Sequence, residues 1–128
     1  MATNNDNGFK ISRVAPSTLA TKQFHFVKLG STGFVICSAT TDRPTGVLQN
    51  NPAAGQVAEV MLCGLTKIIS DGTTAIGDAI GTSSDGQAAV YVHGTDTTKY
   101  IVGEAYSAGA AGETITAFIN CIGVGRAA

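Results

Sequence analysis

Residues Asn50 to Gly55 place two Asn, a Pro and a Gly within six positions, and no other feature restricts the fold of this chain as much. Asn side chains bond to their own main chain, Pro fixes φ and Gly takes φ > 0, so the backbone must reverse there. Within Thr45 to Ile69 a glycine-entered apolar segment precedes the reversal and two further apolar segments follow it. The stretch Thr45 to Ile69 therefore reads as strand, tight turn, strand, strand.

A related stretch, VGEAYSAGAAGETITAFI, lies 57 residues later and aligns without a gap: Gly46 falls on Gly103, Ala53 and Ala54 on Ala110 and Ala111, Gly55 on Gly112, and Gln56 on Glu113. An internal repeat of 45–62 and 102–119 is the reading, with Gly46, Gly55, Gly103 and Gly112 as its structural turn positions. The comparison bears on an ambiguity. Ala53, Val57, Val60 and Met61 also match the stripe of a short helix, but the matching Glu113 to Asn120 is β-branched on alternate positions and reads as strand. Both segments are therefore assigned as strands.

Phe9 to Val14 opens the ordered part, and Ala15-Pro16-Ser17 ends that element. Gln23 to Leu29 alternates Phe24, Phe26 and Lys28 against His25, Val27 and Leu29; a Gly30 to Gly33 turn then leads into Phe34 to Ala39, a hairpin. After Ser70-Asp71-Gly72, a short strand is expected over Ile76 to Ile80. The Asp85-Gly86 dipeptide favours a hairpin turn back into Gln87 to His93. Tyr100 to Ala105 opens the second copy, and the last strand runs to about Val124. The expectation is an all-β domain, a small sandwich or barrel of roughly nine to ten short strands with a turn every eight to twelve residues.

The chain has 128 residues, enough for one domain with its own core. Residues 9–128 are assigned to that domain and residues 1–8 to a flexible polar N-terminal arm with nothing to bury. Charged residues make up only 13% of the chain against 44% hydrophobic. Such a surface holds few charges for solubility as a lone monomer, and burial against a partner accounts for the deficit. Up to Lys28 four basic residues face one acid, and beyond it four face eight. That imbalance is too slight for a nucleic-acid footprint but suits an acidic protein surface. The first residues lack the apolar stretch of a secretory signal, and no apolar run reaches the roughly 18 residues of a membrane helix; the expectations are no membrane partner and a protein made and kept in the cytoplasm.

Chemistry is sparse. Cys37, Cys63 and Cys121 stand singly in apolar segments and read as small buried hydrophobes in a reducing compartment. His93 and Asp96 suggest a base and its orienting carboxylate, but no nucleophile elbow accompanies them. Asp71, Asp78 and Asp85 recur every seven residues, yet each adjoins a glycine where a turn wants Asp; calcium binding is the lesser reading. Gly123 to Ala128 matches the start of a dinucleotide fingerprint without a helix after it in this sequence. No enzyme activity, cofactor or metal is expected.

The run from Gln23 through Ile119, with QFHFVKL, TGVLQNNPAAGQVAEV, GLTKI, AIGDAI, Asp85-Gly86 and VGEAYSAGAAGETITAFI, resembles the head decoration, or cement, proteins of tailed bacteriophages. The resemblance covers about three-quarters of the chain and rests on turns and strands rather than on chemistry. It implies a β-rich virion protein on the capsid exterior that clamps neighbouring major capsid subunits, acting as a homo-oligomer with a trimer favoured. The polar arm and the basic N-terminal balance make Thr3, Asn4, Asn5, Asn7, Phe9, Lys10 and Arg13 the candidate capsid contacts. The alternative is a carbohydrate-binding β module of a phage fibre or tail, which a cleft lined by exposed Tyr91, Tyr100 and Tyr106 would favour.

Overall fold

A computed structural model describes residues 8–122 and 126–127 of the chain. The described residues form nine β-strands and no helix: β1 (Phe9–Val14), β2 (Phe26–Leu29), β3 (Phe34–Ile36), β4 (Gly46–Leu48), β5 (Val57–Ile69), β6 (Ala79–Thr82), β7 (Ala88–Val90), β8 (Gly103–Ala105) and β9 (Thr114–Asn120). All belong to one antiparallel sheet of order β3-β2-β4-β5-β9-β8-β6-β7, with β1 added against β5. The sheet curls until its far end meets its first half: just past β5 the Asp71 N–H donates to the Ala88 carbonyl at 2.8 Å, and on β2 the Phe26 N–H donates to that of Gly86 at 2.6 Å. The all-β expectation holds as a curled sheet rather than two separate layers.

The strand order is the same read from either end if β2–β5 is exchanged for β6–β9. The register agrees as well. Val47 and Leu48 pair with Met61 and Val60, while Glu104 and Ala105, each 57 positions on, pair with Phe118 and Ala117. The hydrogen bonds beyond the strands repeat too: the Gln49 N–H donates to the Glu59 carbonyl at 2.7 Å and the Tyr106 N–H to that of Thr116 at 2.8 Å. Asn50 Oδ1 accepts from the Glu59 N–H at 3.1 Å, and Ser107 Oγ accepts from the Thr116 N–H at 2.9 Å. Different side chains thus hold the same loop geometry.

Both reversals are four-residue turns. The Gln56 N–H donates to the Ala53 carbonyl and the Glu113 N–H to the Ala110 carbonyl, each at 3.0 Å. Gly55 has φ +84° and Gly112 φ +81° at the third position, the geometry of a type II turn, which demands φ > 0 there. Gln56 and Glu113 each reach back through Oε1 to the N–H of the first turn residue.

Two apolar cores lie on opposite faces of the first half of the sheet. One gathers Val27, Phe34, Leu48, Ala58 and Val60 under Ala15 and Leu19. The other gathers Phe26, Val47, Met61 and Ile68 with Ile80, Val102, Ile115, Ala117 and Ile119 inside the curl. Strand β5 serves both. Its pairing with β1 steps from Lys10↔Met61 to Phe9↔Cys63 and leaves Leu62 without a partner. One extra residue in a strand moves every later side chain to the other face, so Ala58 and Val60 point into one core and Ile68 into the other.

The structure corrects several boundaries. The region after the turn is a single 13-residue strand rather than two, because a bulge reverses its faces without breaking its ladder. Phe24 takes φ +63°, and Gln23 to His25 lie outside the strand, which begins at Phe26; ordinary alternation then sends Phe26 and Val27 to different cores. Ile76 is 72% exposed and lies in a turn with Gly77 at φ +91°; the strand begins at Ala79. The expected Asp85-Gly86 hairpin is present, joining Thr82 to Ala88 with Gly86 at φ +77°. The expected last-strand limit at Val124 lies outside the described residues; β9 is assigned to Asn120.

Candidate interaction surface

Strand β1 carries Phe9, Lys10 and Arg13 on the N-terminal half of β5, from Val57 to Cys63. The other half of the same β5 edge, from Cys63 to Ile69, is taken by β9. The two strands thus meet end to end at Cys63, and Gly8 lies out of the plane of the sheet. It stands over Gly64: a Cβ on Gly64, which has φ +140°, would stand 2.6 Å from the Gly8 Cα. Phe9 is 59% exposed and Arg13 is exposed. Lys10 lies 3.6 Å from the Glu59 carboxylate, a surface pair of the kind worth about 0–1 kcal/mol. Thr3, Asn4, Asn5 and Asn7 lie outside the described residues.

Directly paired residues project to the same face of a sheet, so the β5–β9–β8 register defines an outer surface. Leu65 pairs with Phe118 and Phe118 with Glu104. In the next row out Lys67 pairs with Thr116, to whose carbonyl the Tyr106 N–H donates at 2.8 Å. Phe118 is 40% and Tyr106 51% exposed, and their rings stack with centroids 6.3 Å apart and planes at 24°. Phe9, beside Cys63, adjoins this patch on β1. The candidate residues chosen from sequence thus include its rim but miss its centre. A signal for the centre exists: in Thr114 to Asn120 the inward phase is Ile115, Ala117 and Ile119, and Phe118 is an aromatic in the opposite, otherwise polar phase.

Gly46 and Gly103 open the short strands of the two units. A Cβ on Gly46 would lie 2.4 Å from the Met61 carbonyl oxygen, and one on Gly103 would lie 2.5 Å from that of Phe118. Around Gly55 and Gly112 there is open space; these two are held to glycine by φ and not by crowding.

The polar groups are occupied in building turns. Asp96 accepts the Val92 N–H at 2.7 Å, and Asp78 accepts the Ala75 N–H at 2.9 Å. No group of three or more potential metal ligands occurs among the described residues. Asp42 accepts from Lys28 Nζ and from the Ser38 N–H, both at 2.9 Å, and from the Ala39 N–H at 3.1 Å. Burial alone would raise its pKa, but these donors together hold it below the usual carboxylate value. Burial first, then the Asp42 charge, pushes the Cys37 thiol up to about 12; burial and the neighbouring Cys37 and Cys63 push Cys121 up to about 12. Cys63, expected to be buried, is half-exposed beside Phe9 because the bulge leaves it on the outer face.

The three tyrosines lie apart in burial. Tyr91 is buried, with its hydroxyl donating to the Thr82 carbonyl at 2.5 Å. Tyr100 packs against the inner core under Arg126, and Tyr106 is exposed. The described residues therefore present one tyrosine on the outer surface with Phe118 for company, and not a cleft of three.

No protein-family model and no curated protein matches the sequence. Among solved structures, the N base of the head fibre protein gp8.5 of bacteriophage phi29 is similar, with a TM-score of 0.63 over 88% of this chain and 94% of that one, at 19% sequence identity. At that identity the likeness is one of fold.

Proposed function

We propose that this protein is a structural component of a bacteriophage virion that sits on the outside of the head and grips the major capsid protein. The single observation that carries the reading is the fold shared, along nearly the whole length of both chains, with the base of a phage head fibre. The low charged fraction and the polar groups committed to turns support it, since binding protein asks for surface rather than for a nucleophile or a base. The finer reading is a decoration or clamp role: β1, with Phe9, Lys10 and Arg13, lies against half of one strand edge with Phe9 and Arg13 exposed, a placement suited to contact with a capsid surface. Several copies acting together raise avidity by roughly 10²-fold or more over a single weak contact.

The test is co-sedimentation with capsids of the parent phage assembled without this protein. The full chain is expected to pellet with them, and a chain shortened to begin at residue 8 is expected to bind more weakly while unfolding at the same temperature in isolation. Failure of the full chain to bind overturns the capsid reading. Undiminished binding by the shortened chain removes the arm from the contact and leaves β1 to carry it.

A further inference from the structure

We infer that the pocket beside Arg43 is a socket for a glutamate side chain of a partner protein. The pocket has a volume of about 210 Å³ and is lined by Leu29, Arg43, Pro44, Thr45 and Cys121. Leu29 ends β2, Thr45 precedes β4, and Cys121 follows the last residue of β9. The repeat shows why a pocket forms here. Arg43 and Pro44 stand 57 positions before Tyr100 and Ile101, in the stretch that leads into the short strand of each unit. In the second unit that stretch has a backbone partner: Tyr100 bridges to Arg126, the Ala127 N–H donates to the Lys99 carbonyl at 2.8 Å, and Ala127 is fully buried. In the first unit Arg43 and Pro44 make no backbone hydrogen bond with a described residue, and the pocket lies beside them.

The occupant follows from charge and from the donors left over. Arg43 is exposed and makes no hydrogen bond or ion pair with a described residue. The adjacent Asp42 does not neutralise it, because that carboxylate is taken up by Lys28 Nζ and by the Ser38 and Ala39 N–H groups. The Arg43 charge reaches the Cys121 thiol, which it draws downward in pKa against the stronger effect of burial; that thiol is neutral at physiological pH and adds no competing anion. Leu29, half-exposed, and buried Pro44 supply apolar walls. A lone guanidinium beside such walls suits a carboxylate on a short apolar stem. A chain terminus would want a nest of backbone N–H groups, and the pocket has none to give: the N–H of Leu29 goes to Thr45 Oγ1, that of Thr45 to the Val27 carbonyl and that of Cys121 to the Leu62 carbonyl, while Pro44 lacks one. The donors that remain are those of Arg43 and the Thr45 hydroxyl, enough for one side-chain carboxylate whose methylenes lie against Leu29 and Pro44. That the carboxylate belongs to a protein rests on the protein-binding function proposed above.

Titration of the full chain with N-acetylglutamate N-methylamide at constant ionic strength, followed in ¹H–¹⁵N correlation spectra, tests the socket without any capsid. Saturable shifts are expected at Leu29, Arg43, Thr45 and Cys121, with a dissociation constant on the order of 1–10 mM for one ion pair in a small pocket. The neutral glutamine analogue is expected to bind at least about tenfold more weakly, and so is the glutamate probe to Arg43→Gln, with unchanged peak dispersion elsewhere as the check on folding. No saturable shift, shifts away from these residues, or full affinity in Arg43→Gln would overturn the inference. N-acetylvaline, which carries a terminal carboxylate, and inorganic phosphate are expected to bind more weakly than the glutamate probe; equal or tighter binding of either would overturn the side-chain assignment. Where the full chain pellets with capsids, Arg43→Gln is expected to pellet with at least about tenfold lower affinity. Undiminished pelleting would overturn the capsid partner for this socket and leave the capsid reading itself standing.

Discussion

Cys63 and Asn120 face each other across the β5–β9 ladder and are the same position of the repeated unit, since the 57-residue step that carries Gly46 onto Gly103 carries one onto the other. A pseudo-two-fold axis therefore passes between them. On one side of it β9 continues along β5; on the other, where symmetry calls for a continuation of β9, β1 occupies the edge. The position suggested as the capsid grip is the place where the two halves of the chain cease to be alike.

Alanine at Gly55 and at Gly112 is expected to destabilise the protein by about 1 kcal/mol each, and by similar amounts. Neither site has an atom within 4 Å of an added Cβ, so the cost is that of a left-handed backbone alone, at φ +84° and φ +81°. Urea unfolding of the two variants compares them directly. A large effect at one site beside none at the other would show that the turns are not equivalent.

Alanine at Gly46 or Gly103 is expected to cost more, roughly 2–4 kcal/mol, because the new methyl would meet a carbonyl oxygen of the adjacent strand at 2.4 or 2.5 Å. Relief requires the two strands to separate and give up ladder bonds. Midpoints in the same urea series should rank these variants below those at Gly55 and Gly112; the reverse ranking would mean the strand approach is looser than the distances state.

Asp42→Asn is expected to lower stability by about 1–2 kcal/mol, the range for hydrogen bonds to a charged group. The Asp42 pKa is lowered in the folded protein, so its contribution is complete above the unfolded value of about 3.9 and is lost as pH falls through the folded one. The gap between wild type and variant should thus stay constant through neutral pH and close in acid below about pH 4. A gap that persists unchanged in acid would place the effect in packing rather than in charge.

Thiol labelling of the native protein near pH 8 should modify Cys63 readily and leave Cys37 and Cys121 untouched. Both thiols are buried with pKa pushed up to about 12, which leaves on the order of one part in 10⁴ as thiolate at that pH. Because the folded values are raised, their contribution to stability is complete below the unfolded thiol value of about 8.5 and declines as pH rises beyond it towards about 12. Labelling of all three at one rate in the native state would contradict this burial.

The sequence by itself determined the strand content, the turn chemistry and the spacing of the two related hairpins. Each depends on residues close together in the chain: Asn, Pro and Gly between Asn50 and Gly55, and alternating Ile115, Ala117 and Ile119 in β9. It did not reveal Phe24 at φ +63°, because an aromatic there continues the alternation, and the bonds that hold Phe24, from its N–H to the Leu48 carbonyl and from the Ile69 N–H to its own carbonyl, come from distant parts of the chain. The bulge at Leu62 was hidden for the same reason. Nothing in Val57 to Ile69 marks a change of face, and the change arises because β1 and β9 share one edge of β5. The outer surface of Leu65, Lys67, Phe118, Glu104 and Tyr106 was likewise decided by tertiary structure alone. Its members come from three strands spread over some 50 residues of sequence, and which residues stand side by side on a sheet is set by register, a property of the paired strands and not of any one of them.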